Sequence, residues 1–415
     1  MSQLLLYYII LYYIIGTCIC IYVFFIINLG RLSLQHQIKR MKVVIASFLL
    51  WNPININAFT PITYYSYHTA KQSPSSDLYM SSPEAANLLY LEQEKLLIKR
   101  GKFEQDLLSQ SSTSIETPKI KVRGSGSAGG FGSASTQNNK QKFKAEGKAY
   151  AKILKQDGVV RIDNILTDST TDALRDYVYQ LRQSSEQDVA SGKVKPIQRF
   201  ADVLLKQDRC DLTIPLGDDI VSTALHEALL SSPVSSTISS VFSDKSILYE
   251  FSCLISDPGS QRQNLHPDTP YKDNVGPVLY TCFIALQDIT LDMGPTTWLP
   301  QTHTQKAHAQ FIDKDQKDHL IQSTPAVLGT LSKGSCAIFD SRCLHCGTSN
   351  QSNQSRALFY FSFRNPKVIY PGNPASIRAE LKTAKLTMKD LVKDLELRQK
   401  GKGQPLMDSI ADTMV

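Results

Sequence analysis

Hydrophobic and polar positions divide the chain into stretches of different texture. Residues 4–28 form an uncharged, almost wholly apolar run. At about 1.5 Å rise per residue, a helix of that length crosses a ~30 Å hydrocarbon core. From 84 to 108, leucines recur at helical spacing behind Ser82-Pro83-Glu84, a helix start with a capping serine and an early proline. A solvent-facing helix is predicted there. Residues 109–140 turn to Ser, Gly, Thr, Gln and Asn, which predicts a flexible linker, so 84–140 reads as helix plus linker. Gly124, Gly126, Gly129 and Gly130 neither follow a strand nor open a helix, which excludes a phosphate-binding loop.

A compact domain is expected over 141–370. Helical patterning covers 144–156, a short strand and turn 157–166, and an amphipathic helix 168–189. From residue 247 the texture changes to short strands separated by Pro, Gly, Asp and Asn, at 247–256, 278–289, 335–340 and 357–363. Helices followed by successive short strands predict a mostly β domain with flanking helices (α+β), its strands forming a sandwich or barrel. Residues 371–415 are expected to form a C-terminal helical tail that packs on the outside or trails away.

Charge changes the picture mainly at the front. Four of the seven net positive charges come from Arg31, Lys39, Arg40 and Lys42 within residues 1–58, which hold no acid, leaving +3 for the rest. The domain therefore lacks a nucleic-acid footprint. Two readings of the front compete. Arg31, Lys39 and Arg40 behind the apolar run fit a membrane anchor with these charges on the cytoplasmic side. Alternatively translation starts at Met41, and 41–58 is a signal peptide cut after Ala58. The Ala58-Phe59 junction resembles that of bipartite plastid presequences in algae with complex plastids. The segment 59–83 then corresponds to the transit-like part, with no acid before Asp77. Plastid import is the expectation, with a membrane anchor or ordinary secretion as alternatives; N-terminal sequencing of the mature protein separates them. A membrane partner is expected only if residues 1–40 are translated and retained.

Candidate chemistry sits in the strand-rich half. In extended chain, residues two apart share a face, so His266 and Asp268 can offer an imidazole nitrogen and a carboxylate oxygen to one metal ion. Alone, that pattern is also met in polar turns. Seventy-seven residues after Asp268, His345 follows an apolar strand and precedes a Gly/Asn turn, placing a second imidazole at a strand end. Two histidines and one carboxylate form the facial triad of non-heme iron(II) oxygenases, which leaves positions open for a chelating cosubstrate and dioxygen. Eleven residues further, Arg356 enters the strand 357–363 on the face of Leu358, Tyr360 and Ser362. An arginine in so apolar a strand needs a partner, and a dicarboxylate supplies one through paired hydrogen bonds. A surface salt bridge is the other account of Arg356.

These residues, with Gly294-Pro295-Thr296-Thr297-Trp298-Leu299-Pro300-Gln301-Thr302-His303 between them, resemble the phytanoyl-CoA dioxygenase family over roughly 145–370. The resemblance implies a double-stranded β-helix (jelly-roll) core. It implies Fe(II) on His266, Asp268 and His345, 2-oxoglutarate with its distal carboxylate on Arg356, and O2 as oxidant, with ascorbate as an auxiliary reductant in some members. Phe283 corresponds to an aromatic lining the cosubstrate pocket, and Thr281 shares its face. The implied activity is hydroxylation of an aliphatic C–H of a small-molecule or acyl-CoA-type substrate, releasing succinate and CO2. Halogenating relatives lack the carboxylate that Asp268 supplies. Gln301-Thr302 departs from the family's Gly-Ser and is expected to reshape the loop over the site, while His303 is expected to be structural.

Three rival readings remain open at this stage. Cys343 and Cys346 flank His345 at Cys-x-x-Cys spacing, but a zinc site lacks a second pair, and a redox dithiol belongs at a helix start. A catalytically inactive jelly-roll binding protein would use the same scaffold. Lys193, Lys195 and Arg199 are read as a solvated basic loop in preference to an anion site.

Overall fold

The structure, a computed structural model, describes residues 113–116, 118, 133–201, 208–368 and 385–402, all within the unit Ser76–Val415. The expectations for residues 1–108 lie outside the described residues. Among the described residues no helix is long and apolar enough to cross a membrane.

In chain order the strands are β1 (Thr113–Ser114), β2 (Val159–Ile162), β3 (Arg209–Thr213), β4 (Ile247–Ser256), β5 (Leu279–Ala285), β6 (Thr296–Trp298), β7 (Val327–Leu328), β8 (Cys336–Asp340), β9 (His345–Gly347) and β10 (Arg356–Arg364). The helices are α1 (Ser133–Asp157), α2 (Asp168–Ala190), α3 (Asp219–Leu230), α4 (Val234–Val241), α5 (Gln305–Ile312), α6 (Lys314–Ser323) and α7 (Met388–Gln399). Strands β2-β8-β5-β10-β4-β3 form an antiparallel six-stranded sheet, and β1-β7-β6-β9 a smaller one in which only β1 and β7 run parallel. After β5 the chain passes to β6 and β7 in the small sheet, returns to β8, crosses to β9 and returns to β10. This alternation between two facing sheets is the jelly roll.

Period-two alternation sorts side chains onto the two faces of the large sheet. Its outer face carries Phe251, Ile255, Cys282, Ile284, Ile338, Phe359, Phe361 and Phe363, which pack with Leu174 and Val178 of α2, Leu225 of α3 and Leu391 of α7. Its inner face meets the small sheet in a second cluster, where Val159, Phe283, Phe339, Leu358 and Tyr360 surround Trp298. A third cluster lies behind the small sheet, where Leu299, Leu344 and Cys346 meet Phe311 and Ile321 of α5 and α6. Helix α2 starts cleanly because Thr167 Oγ1 accepts from Thr170 N at 3.2 Å, satisfying a first-turn donor. Glu227 of α3 ties the same turn down by accepting from Thr167 N at 2.7 Å.

Two boundaries differ from expectation. Within the predicted linker 109–140, Thr113 and Ser114 pair with Val327 and Leu328, Ile115 is buried against the inner cluster, and α1 begins at Ser133. A three-residue stretch is too short to show a period, so only its tertiary partner reveals it. The predicted tail 371–415 contains α7, whose Met388, Leu391 and Leu395 are at most 1% exposed and belong to the main core. That helix is a layer of the domain.

Candidate active site

His266 and His345 face each other across the small sheet and exchange both backbone hydrogen bonds, 2.9 Å in each direction. That reciprocal pair fixes the spacing of the two imidazoles, whose rings lie 4.7 Å apart. Asp268 follows in the same extended segment, with Oδ1 3.8 Å from His266 Nε2 and 3.5 Å from His345 Nε2. Nearby, Thr269 N donates to Ser341 O at 3.0 Å, and the hydroxyls of Thr269 and Ser341 lie 2.6 Å apart. Tyr271 N donates to His308 Nδ1 at 3.1 Å, and His308 Nε2 donates to Arg342 O at 2.8 Å. Arg342 is held in turn by a two-pronged pair with buried Asp340 at 2.9 and 2.7 Å. The turn carrying Asp268 and the turn before His345 are thus stitched into one unit.

The ligand atoms of His266, Asp268 and His345 all lie within 4.8 Å of one another, close enough for one metal ion. Both imidazoles are oriented by their other nitrogen, with His266 Nδ1 donating to Asn264 O at 2.7 Å and His345 Nδ1 to Cys343 O at 2.9 Å. Each Nε2 is then left with its lone pair toward Asp268, the tautomer a metal requires. Burial pushes the His345 imidazole down to about 4, so it is neutral at physiological pH. The same burial raises the Asp268 carboxyl to about 6, partly offset by the nearby His266 charge. A cation placed between them would reverse that rise.

Arg356 is fully buried on the inner face, and its Nη2 donates to Ser256 Oγ at 2.9 Å. Its Nε and Nη1 have no partner, and no carboxylate of the described residues pairs with it. Desolvation, helped by the nearby charge of Arg209, lowers the guanidinium to about 9. Phe283 stands edge-on to Phe339 (5.0 Å) and Tyr360 (5.5 Å), walling the space between the sheets. Thr281 lies two residues along the same face, buried, with its hydroxyl unpartnered. Arg356, Phe283 and Thr281 thus lie on the inner face of the large sheet, while His266, Asp268 and His345 cluster with the side chains of the first two 38% and 26% exposed.

The other sequence signals resolve into structure. His303 Nε2 donates to Lys155 O at 3.1 Å and lies outside the candidate metal-binding cluster. Cys343 and Cys346 are buried, not joined in a disulfide, and packed in different clusters. Lys193 and Arg199 both pair with Asp188, at 3.1 and 2.9 Å. Gln301 makes the turn that a glycine would make there, with φ 65°, and is anchored by its N donating to Asp157 O at 2.7 Å. Three interior polar residues were missed, namely Arg209, Asp211 and Glu250. Asp211 accepts from Tyr360 OH at 2.7 Å. The polar alternation Arg209, Asp211, Thr213 against apolar Cys210 and Leu212 is the signal that marks β3.

A family model described as phytanoyl-CoA dioxygenase (PhyH) matches residues 154–358, from within α1 to the start of β10. The jelly-roll domain belongs to that family. The match spans the triad and Arg356 and places the PhyH domain among oxygenase-type enzymes. Solved structures similar to it include AviO1 from Streptomyces viridochromogenes Tue57, at 14% identity over 54% of this chain and 96% of that one, with a TM-score of 0.38. Another is the non-heme monooxygenase ThoJ in a nickel complex, at 18% identity over 54% and 80%, TM-score 0.39. A third is the non-heme alpha-ketoglutarate-dependent carbocyclase SnoK from nogalamycin biosynthesis, at 17% identity over 62% and 92%, TM-score 0.38. All three are too distant to bear on the chemistry of the PhyH domain. A search of curated protein sequences finds no match.

Proposed function

We propose that the PhyH domain is an iron(II)- and 2-oxoglutarate-dependent dioxygenase that hydroxylates an aliphatic C–H of a small-molecule or acyl substrate, with release of succinate and CO2. The observation that carries this reading is a buried guanidinium without an acid, Arg356, together with a two-histidine, one-carboxylate triad. An uncompensated buried cation is expensive, and a ligand carboxylate would supply the charge and acceptors that Arg356 lacks. The donor set fits iron(II), since two imidazoles and one carboxylate leave the remaining positions of an octahedron for small ligands. When bound, iron and 2-oxoglutarate supply the oxidising chemistry.

The chain's own residues do the rest. His266 and His345 keep their Nδ1 atoms on the carbonyls of Asn264 and Cys343, which aims each Nε2 at the position of the metal. Asp268 provides the single negative charge. Phe283, Phe339, Leu358 and Trp298 wall the interior with apolar surface, which excludes water from a reactive centre. The substrate is bound on the side that these walls leave open.

Succinate formation by the purified protein with iron(II) and 2-oxoglutarate tests the reading directly. Turnover without added substrate is expected, and Asp268→Ala should abolish it together with metal binding. A wild-type protein that binds neither iron(II) nor 2-oxoglutarate would overturn the assignment and leave a non-catalytic binding domain.

A further inference from the structure

A second arginine shares the interior with Arg356. Arg209 lies on edge strand β3, 7% exposed, and Ser256 of β4 pairs with Arg209 on one side and Arg356 on the other. The two guanidiniums therefore belong to one cross-strand row on the inner face. Arg209 Nη2 donates to Gln261 O at 2.9 Å and more weakly to Thr348 O at 3.4 Å, while its Nη1 is buried without a partner. Burial lowers the group to about 10, and no carboxylate of the described residues pairs with it. Two buried like charges within electrostatic reach, neither neutralised, repel each other and have lost their water. Such an arrangement is explained by a ligand anion better than by the fold.

The backbone makes room for it. A Cβ on Gly347 would sit 2.5 Å from Arg209 Nη1 and 2.8 Å from Gln263 Oε1, so only glycine leaves Arg209 in place. Gly347 is two residues along β9 from His345 and shares its face, about 6.6 Å away at strand rise. That offset is comparable to the length of a five-carbon chain.

We propose that Arg209 is a second guanidinium for the distal carboxylate of 2-oxoglutarate, closing a two-arginine clamp with Arg356 that Gly347 keeps open. The inference rests on the dioxygenase reading above. One carboxylate has about four lone-pair sites and accepts from both arginines at once. Arg209 is thus a cosubstrate-binding residue that selects dicarboxylates over 2-oxo acids with an apolar end.

Isothermal titration of the full-length protein loaded with Mn(II) tests the clamp without turnover. The two ligands are 2-oxoglutarate and 2-oxopentanoate, which has the same carbon chain without the distal carboxylate. Arg209→Met should weaken 2-oxoglutarate by about ten- to a hundredfold, the range of a lost charge-assisted hydrogen bond, and leave 2-oxopentanoate unchanged. Arg209→Lys should recover part of the loss. Gly347→Ala should reproduce part of it with Arg209 still present. Equal losses for both ligands, or undiminished 2-oxoglutarate binding in Arg209→Met and Gly347→Ala, would overturn the clamp. A wild-type protein that fails to bind 2-oxoglutarate overturns the dioxygenase reading instead.

Discussion

The two faces of β10 interleave along nine residues, and nearly all of these residues are buried, yet they do different work. Outward, Ala357, Phe359, Phe361 and Phe363 meet helices, with Phe361 edge-on to Phe359 at 6.2 Å and to Phe363 at 5.9 Å. Inward, Arg356, Tyr360 and Ser362 accompany Leu358, and Nε and Nη1 of Arg356 have no partner. Equal burial thus conceals opposite energetics. The outer face gains by removing apolar area from water. The inner face forgoes some of that stability in leaving buried polar groups unpartnered, a common trade at functional sites.

The outer face should respond most to truncation. Phe361 is fully buried, so Phe361→Ala is expected to lose about 3–5 kcal/mol in urea unfolding through lost transfer energy and a residual cavity. Metal affinity of the folded fraction should stay as it was, because Phe361 points away from the triad. A loss under about 1 kcal/mol would break the contrast between the faces, since it would mean the helical layer is loosely packed.

Glu250 sharpens the contrast from the inner side. Burial pushes its carboxyl up to about 8, the Ser362 hydroxyl holds it down in part, and the charges of Asp268 and Asp211 push it further up. Tyr360 and Arg356 of β10 are the other titratable groups of the neighbouring inner face. The folded value lies above the unfolded one near 4.5, so the native state holds the proton more tightly. Its stability contribution is therefore full below about 4.5 and is lost as pH rises through about 8. Glu250→Gln does not titrate. In metal-free protein the variant should gain on wild type as pH rises from 5 to 8, by on the order of a few kcal/mol at the upper end. A difference that does not change with pH would show that Glu250 is solvated or paired in the folded protein.

Legibility followed the length over which a pattern repeats. Strands β4 and β10 and helix α2 are long enough to show their periods, and the observed bounds fall within a residue of those expected. His266-x-Asp268 is local in sequence and Arg356 opens a strand already visible, so these candidates were legible before any fold, whereas His345 opens the short strand β9 five residues after β8 ends at Asp340. Strands β6, β7 and β9 are two or three residues long and show no period. Strand β9 is recognisable only through its pairing with β6 and the reciprocal bonds of His345 with His266. The row Arg209–Ser256–Arg356 depends on pairing strands far apart in the chain, which no local signal encodes. For α7 the apolar spacing was visible, but the surface that receives it was not.

The smallest expected effect concerns the loop between β6 and α5, and it separates strain from contact. Gln301 has φ 65°, a left-handed conformation that disfavours a side chain by about 1–2 kcal/mol and leaves glycine unstrained. Its backbone N donates to Asp157 O at 2.7 Å and survives any substitution except proline, whereas Gln301 Nε2 donates to Asp157 Oδ1 at 3.1 Å on an exposed surface. Glycine removes the strain and loses only that exposed bond, worth about 1 kcal/mol or less. Gln301→Gly should therefore match or exceed wild type by up to about 1 kcal/mol, while Gln301→Ala keeps the strain, loses the bond and should fall below both. Thermal unfolding of the three proteins gives the order, and an alanine variant more stable than the glycine one would remove the strain argument. The adjacent Thr302 accepts from Leu344 N at 2.9 Å, one residue before the candidate ligand His345. If the loop holds the site through that bond, metal affinity should be equal in all three proteins, because the strain sits one residue outside the contact that positions His345.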